Sequence, residues 1–141
     1  MLSFESFRNL VLGFAGVVIV GGLYAVSRSE RAKIMKHLHG RRATSDAELS
    51  AFFPTAAEAE IAISARNHLK KYLLIPVDLT QLDDKLCADL GLGAQDGLDP
   101  NFFVKDIERS HGIKIPDAQA AEMFTLRDIV SYIHAAKAVN Q

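Results

Sequence analysis

The sequence predicts an all-α protein: one N-terminal transmembrane helix, then a small four-helix bundle with a long loop between its first and second helices. Three observations carry this expectation. Residues 10–26 pass without a charge, helix-capping residues stand ahead of apolar runs spaced i, i+4, and no segment of useful length alternates as a strand does. A chain of 141 residues has room for one domain and an anchor, but not for two full cores.

The uncharged run reads LVLGFAGVVIVGGLYAV, with Tyr24 its one strong hydrogen-bonding side chain. As a helix it spans about 25 Å, and Asn9 or Ser27 extends it toward the ~30 Å hydrocarbon core. A cleaved signal peptide fits less well. The start, MLSFESFR, sets only Arg8 against Glu5, and no A-x-A-like site follows Val26. Gly21 and Ala25 share one face, a spacing that lets a second helix approach closely.

A basic segment follows. Residues 28–42 hold Arg28, Arg31, Lys33, Lys36, Arg41 and Arg42 against Glu30. Basic flanks stay on the cytoplasmic side and are drawn to anionic lipid, so these six are the expected membrane-surface residues. The N-terminus is then outside a bacterial inner membrane and the C-terminal domain is cytoplasmic. Ile34, Met35 and Leu38 give the segment a modest apolar stripe. It either lies as a helix at headgroup level or forms a solvated linker ending near Gly40. The expected division is anchor 1–27, basic segment and connector 28–54, helical domain 55–138.

Beyond Thr44 the charge reverses: nine Lys/Arg against fifteen Asp/Glu, a net −6. Such a domain suits basic protein surfaces and is repelled by nucleic acid. Thr55 with Glu58 three residues on opens the first bundle helix, over residues 56–74, and the Ile75-Pro76 step closes it. Residues 77–98 form the long loop, with Leu79, Leu82, Leu86, Leu90 and Leu92 able to reach the core. Asp99 caps the second helix with Pro100 at its first position, and Gly112 ends it. The Pro116-Asp117 step starts a short third helix. Thr125 and Asp128 form the capping box of the last, whose buried face is Leu126, Ile129, Val130 and Ile133.

The stretch HGIKIPDAQAAEMFTLRDIVSYI, residues 111–133, resembles acyl and peptidyl carrier proteins. Ile113, Ile115, Pro116, Asp117, Thr125, Tyr132 and Ile133 stand in the order and spacing of that family, and LDDKLCADLGL, residues 82–92, is similar to the loop before its prosthetic-group site. The resemblance covers roughly residues 56–137. It implies a four-helix carrier bundle and an acidic surface at the second helix that meets basic partner enzymes. It also implies a serine, in a D-S-L motif, bearing 4′-phosphopantetheine. In this sequence that position is Gly97, between Asp96 and Leu98. No serine lies between Ser64 and Ser110, where the only hydroxyls are Tyr72 and Thr80. A phosphodiester needs a hydroxyl, so no cofactor is expected.

Nothing in the sequence assembles an enzyme. Cys87 has no local histidine base, Asp83 and Asp84 lack a third metal ligand at a defined spacing, and His37 and His39 would face different sides of a helix. The expected function is a membrane-tethered, non-acylated carrier-like interaction module, an accessory or structural subunit of a membrane protein complex. The alternative is an adaptor or decoy carrier that recruits or regulates a cytoplasmic acyl-chain enzyme. The expected partner-binding residues are Asp96, Leu98, Asp99, Phe102 and Asp106. Asp99 doubles as a cap, Asp106 and Glu108 as an ordinary solvated helix face, and Phe102 as core filling.

Overall fold

A computed structural model describes residues 28–93 and 99–140. Within them the chain is helical at residues 28–37 (α1), Asp46–Ser50 (α2), Ala56–Leu69 (α3), Pro100–His111 (α4), Asp117–Ala120 (α5) and Leu126–Val139 (α6), with a 3₁₀ turn at Val77–Leu79. No strand occurs among these residues. No helix among them is long and apolar enough to cross a membrane. The predicted anchor, residues 10–26, lies outside the described residues.

The helix starts follow the local chemistry read from the sequence. Thr55 Oγ1 accepts the Glu58 N–H at 3.2 Å to open α3. Asp99 Oδ1 accepts the Asn101 N–H at 2.9 Å at the head of α4, with Pro100 in its first turn. Thr125 and Asp128 exchange a capping box ahead of α6. Each cap satisfies backbone donors that an open helix end leaves without partners. Gly112 closes α4 at φ +65°, a left-handed conformation that costs little only without a side-chain branch.

The core joins α3, α4 and α6, with Leu69, Ile107, Leu126, Val130 and Ile133 almost wholly buried. The long loop contributes as expected: Leu82, Leu86, Leu90 and Leu92 are all buried, and Leu79 packs against them. It is pinned to the head of α6 from both directions. The Leu86 N–H donates to the Phe124 carbonyl at 2.9 Å, and the Arg127 N–H to the Leu82 carbonyl at 3.1 Å.

Two elements differ from expectation. The first bundle helix stops at Leu69 rather than running to residue 74. Tyr72, Leu73 and Ile75 are all buried, yet on a continuing helix Leu73 and Ile75, two positions apart, would face about 160° away from each other. Unwinding after Leu69 lets all three turn inward. The second difference is upstream. Residues 28–54, expected as a membrane-lying or solvated segment and a connector, are packed onto the bundle. Ile34 of α1 and Leu38 just after it are 7% and 2% exposed, and Leu49 of α2 is buried with them. Arg41 forms a two-pronged ion pair with buried Asp84, at 2.6 and 2.9 Å. Buried Arg66 of α3 reaches the Thr44 carbonyl at 2.7 Å and pairs with Asp46. The Thr44 N–H donates to the Asp78 carbonyl at 2.8 Å. The apolar stripe read from α1 is real, and it faces protein.

Candidate functional site

The expected partner surface begins where the long loop meets α4. Asp96, Gly97 and Leu98 lie outside the described residues. Of the other expected positions, Asp99 is exposed and spends one carboxylate oxygen on the helix cap. Phe102 is 49% exposed, turned about 100° around α4 from the buried Phe103, with the Lys105 ammonium 5.9 Å from its ring centroid. That is a solvent-facing cation–π contact rather than core filling.

Asp106 is placed differently from expectation. Its carboxylate accepts the Tyr72 hydroxyl at 2.5 Å and stands near Lys71 at 3.5 Å and Arg109 at 3.3 Å, with its side chain 17% exposed. These donors favour the ionised form, so the Asp106 carboxyl is held below the ordinary aspartate range, chiefly by the tyrosine. Tyr72 is pushed up to about 12 by the same bond, since removing its proton would set two negative charges together. Glu108, on the same helix, accepts the Ile115 N–H at 2.7 Å and so fixes the I-x-I-P segment. Both carboxylates face protein groups, which leaves Asp99 and Phe102 as the described members of the set that face outward. Tyr72 and Asp106 are thirty-four positions apart, and no spacing rule in the sequence pairs them.

Alongside this surface lies an apolar cavity of about 740 Å³ between the loop, α4 and α5. Leu86, Leu92, Phe103, Val104, Ile107, Ile115, Met123 and Ile129 line it, with Cys87 and the exposed Phe124 also on its wall. Partial desolvation pushes the Cys87 thiol up, away from the reactive thiolate. Sequence reading named Leu86, Leu92 and Ile129 as core, but residues from three separate segments surround the space. Only their packing reveals that it is not filled. Of the six expected membrane-surface residues, Arg41 and Arg42 are engaged within the chain, by Asp84 and Glu48, and Lys33 pairs with Glu30.

The hydroxyls of this region do not fit a phosphodiester-linked arm. The Thr80 hydroxyl is buried and donates to the Val77 carbonyl at 2.7 Å; the Tyr72 hydroxyl is committed to Asp106. Between Ser64 and Ser110 the sequence offers no other. Among the described residues no group of histidine, cysteine or carboxylate side chains is placed to hold a metal ion.

A long loop feeding a capped second bundle helix, a one-turn third helix and a tyrosine-anchored last helix together define a small helical domain of the carrier type. Tyr132 completes that pattern by donating its hydroxyl to the Lys114 carbonyl at 3.0 Å, tying α6 to the segment before α5. The sequence is 32% identical over 74 residues to an acyl carrier protein of Campylobacter hominis, covering 52% of this chain and 90% of that protein. It is 31% identical over 65 residues to an acyl carrier protein of Campylobacter fetus, covering 46% of this chain and 80% of the relative. The chain belongs to the acyl carrier protein family. No protein-family model matches it, and no solved structure matches it. Membership defines a carrier-like module, and roughly half of the chain lies outside these matches.

Proposed function

We propose that this protein is a membrane-tethered, non-acylated member of its family, acting as an accessory or structural subunit of a membrane protein complex. The observation that carries this reading is the missing hydroxyl. Gly97 stands where the family attaches its arm, and the two hydroxyls between Ser64 and Ser110 are both spent inside the fold. A carrier that cannot be loaded keeps its binding surface and loses its shuttle. The uncharged run at residues 10–26 and the basic residues behind it support the tether, with the domain on the cytoplasmic side. Asp96, Leu98, Asp99 and Phe102 are the residues offered to a partner protein. Asp106 acts beneath them, by holding Tyr72.

The test is the intact mass of the native chain after coexpression with a broad-specificity phosphopantetheinyl transferase. The expected mass is that of the unmodified polypeptide, and a gain of one 4′-phosphopantetheine would return the protein to the acyl-shuttling class. Alkaline extraction of membranes tests the tether: the chain stays in the pellet. Native mass analysis after mild-detergent purification then gives a stoichiometric assembly for a subunit.

One observation favours the alternative of an adaptor or decoy that recruits an acyl-chain enzyme. A domain kept purely as a structural part gains nothing from the open apolar cavity beside α4, and filling such spaces ordinarily stabilises a fold. A free or sub-stoichiometric species in the native mass analysis, copurifying with such an enzyme, distinguishes this second reading.

A further inference from the structure

The first turns of α1 reach beyond the bundle. Residues 28–33 are exposed or half-exposed, and Ile34 is the first described residue that the bundle covers. Arg28 and Arg31 sit on this overhang. Ile34 and Leu38, four residues apart, share the docked face, so Lys36, two residues from each, projects from the opposite one. Among the described residues Arg28, Arg31 and Lys36 enter no ion pair, whereas the other three cations of the segment are matched by Glu30, Asp84 and Glu48.

This arrangement separates two properties that an interfacial helix normally combines. Such a helix lays its apolar face among acyl chains and its basic face among headgroups. Here the apolar face is already occupied by the bundle, and the Arg41–Asp84 pair locks the helix's C-terminal side to the long loop. We propose that α1 is a docked cationic face for an anionic lipid surface. Arg28 and Lys36, which both point away from Ile34 and Leu38, contact headgroup phosphates electrostatically and without insertion, and the rigid attachment of α1 holds the carrier-like domain in one orientation to the bilayer. The net −6 charge beyond Thr44 works in the same sense, since anionic lipid attracts the helix and repels the rest. That same charge disfavours nucleic acid as the partner. The inference deepens the membrane-tethered reading and rests on it for the direction of approach.

The experiment places the full-length chain in nanodiscs of phosphatidylcholine, with or without phosphatidylglycerol, and reads broadening of amide signals by spin-labelled headgroups. Residues 28–37 lie beside the tether and are broadened in both disc types; the broadening of residues 33–37, and not of α6, is expected to be stronger with phosphatidylglycerol, and that excess fades as salt rises. The R28Q/K36Q variant lowers the contact population by about fivefold per replaced residue at low salt. Equal broadening of residues 33–37 in both disc types, persistence of the excess in the variant, or broadening of the Ile34 and Leu38 methyl groups overturns the inference. A chain that enters the discs but shows one of these outcomes leaves the tether intact. A chain that fails to enter them refutes the tether instead, and co-flotation with phosphatidylglycerol vesicles then decides the inference: flotation lost in the variant supports it, and no flotation overturns it. Tighter binding to a labelled RNA than to those vesicles at equal salt also overturns it.

Discussion

Replacing Leu38 with alanine tests whether the basic segment is part of the folded domain. Leu38 is 2% exposed and lies in the same core as Leu49 and the bundle helices. Truncating a buried leucine removes its transfer energy and leaves a cavity, at about 2–5 kcal/mol. Because α1 lies at the margin of the bundle and can settle inward, the lower part of that range applies, about 2–3 kcal/mol. For a domain of this size that moves a urea midpoint by about 1–2 M with little change in slope. The assay is urea unfolding of the full-length protein in nanodiscs, followed by far-UV circular dichroism. Val139→Ala, at a position 85% exposed, is the control and shifts stability by no more than about 0.5 kcal/mol. If Leu38→Ala behaves like that control, α1 is not docked, and the stripe at Ile34 and Leu38 faces lipid or water.

The remaining predictions concern the bundle and its site. Tyr72→Phe breaks the bond to the Asp106 carboxylate and costs about 1–2 kcal/mol, since Lys71 and Arg109 still attend that charge. The native-state pKa of Tyr72 lies above its ordinary value, near 12. Its contribution to stability is therefore complete below pH 10 and disappears as pH rises toward 12, readable as a late tyrosinate transition coincident with unfolding. Asp106 runs the other way: its depressed carboxyl stabilises the fold above the usual aspartate range and loses that effect as acid protonates it. A pH series of urea midpoints for wild type and Tyr72→Phe shows the two curves converging at low pH. Gly93→Ala is expected to destabilise the loop by more than about 1 kcal/mol, because its φ of +89° disfavours a side chain and the added carbon would lie 2.8 Å from Pro100 Cγ. Thermal melting checks this. Gly97→Ser, with Asp96, Leu98 and Asp99 kept, is expected to regain modification by a phosphopantetheinyl transferase, read as a mass increase. A variant that stays unmodified shows that more than the missing hydroxyl excludes the arm.

The bundle was legible wherever the chemistry is local. Thr55, Asp99 and Thr125 mark helix starts because a cap bonds to backbone two or three residues away, and Gly112 marks a stop for an equally local reason. The periodic positions Ile129 and Ile133 of α6 fell on a buried face because a helix repeats its face within two turns. The order of these signals was enough to indicate the family that the Campylobacter relatives establish. The absence of a hydroxyl at position 97 was likewise readable from one letter.

What the sequence could not decide was which surface each apolar stripe would meet. The pattern of Ile34, Met35 and Leu38 gives a face and no direction, and a membrane interface satisfies it as well as a protein does. Burial against the bundle, with Arg41 reaching Asp84 across forty-three positions, is settled only when distant segments compete for the same space. The same holds for Asp106, whose carboxylate turns to Tyr72, and for the cavity, which is the volume that three separately encoded segments fail to fill. Caps and periodicity act over a few residues and are fixed by the chain's own chemistry; pairing and packing depend on which parts of the chain meet, and the tertiary structure alone determines that.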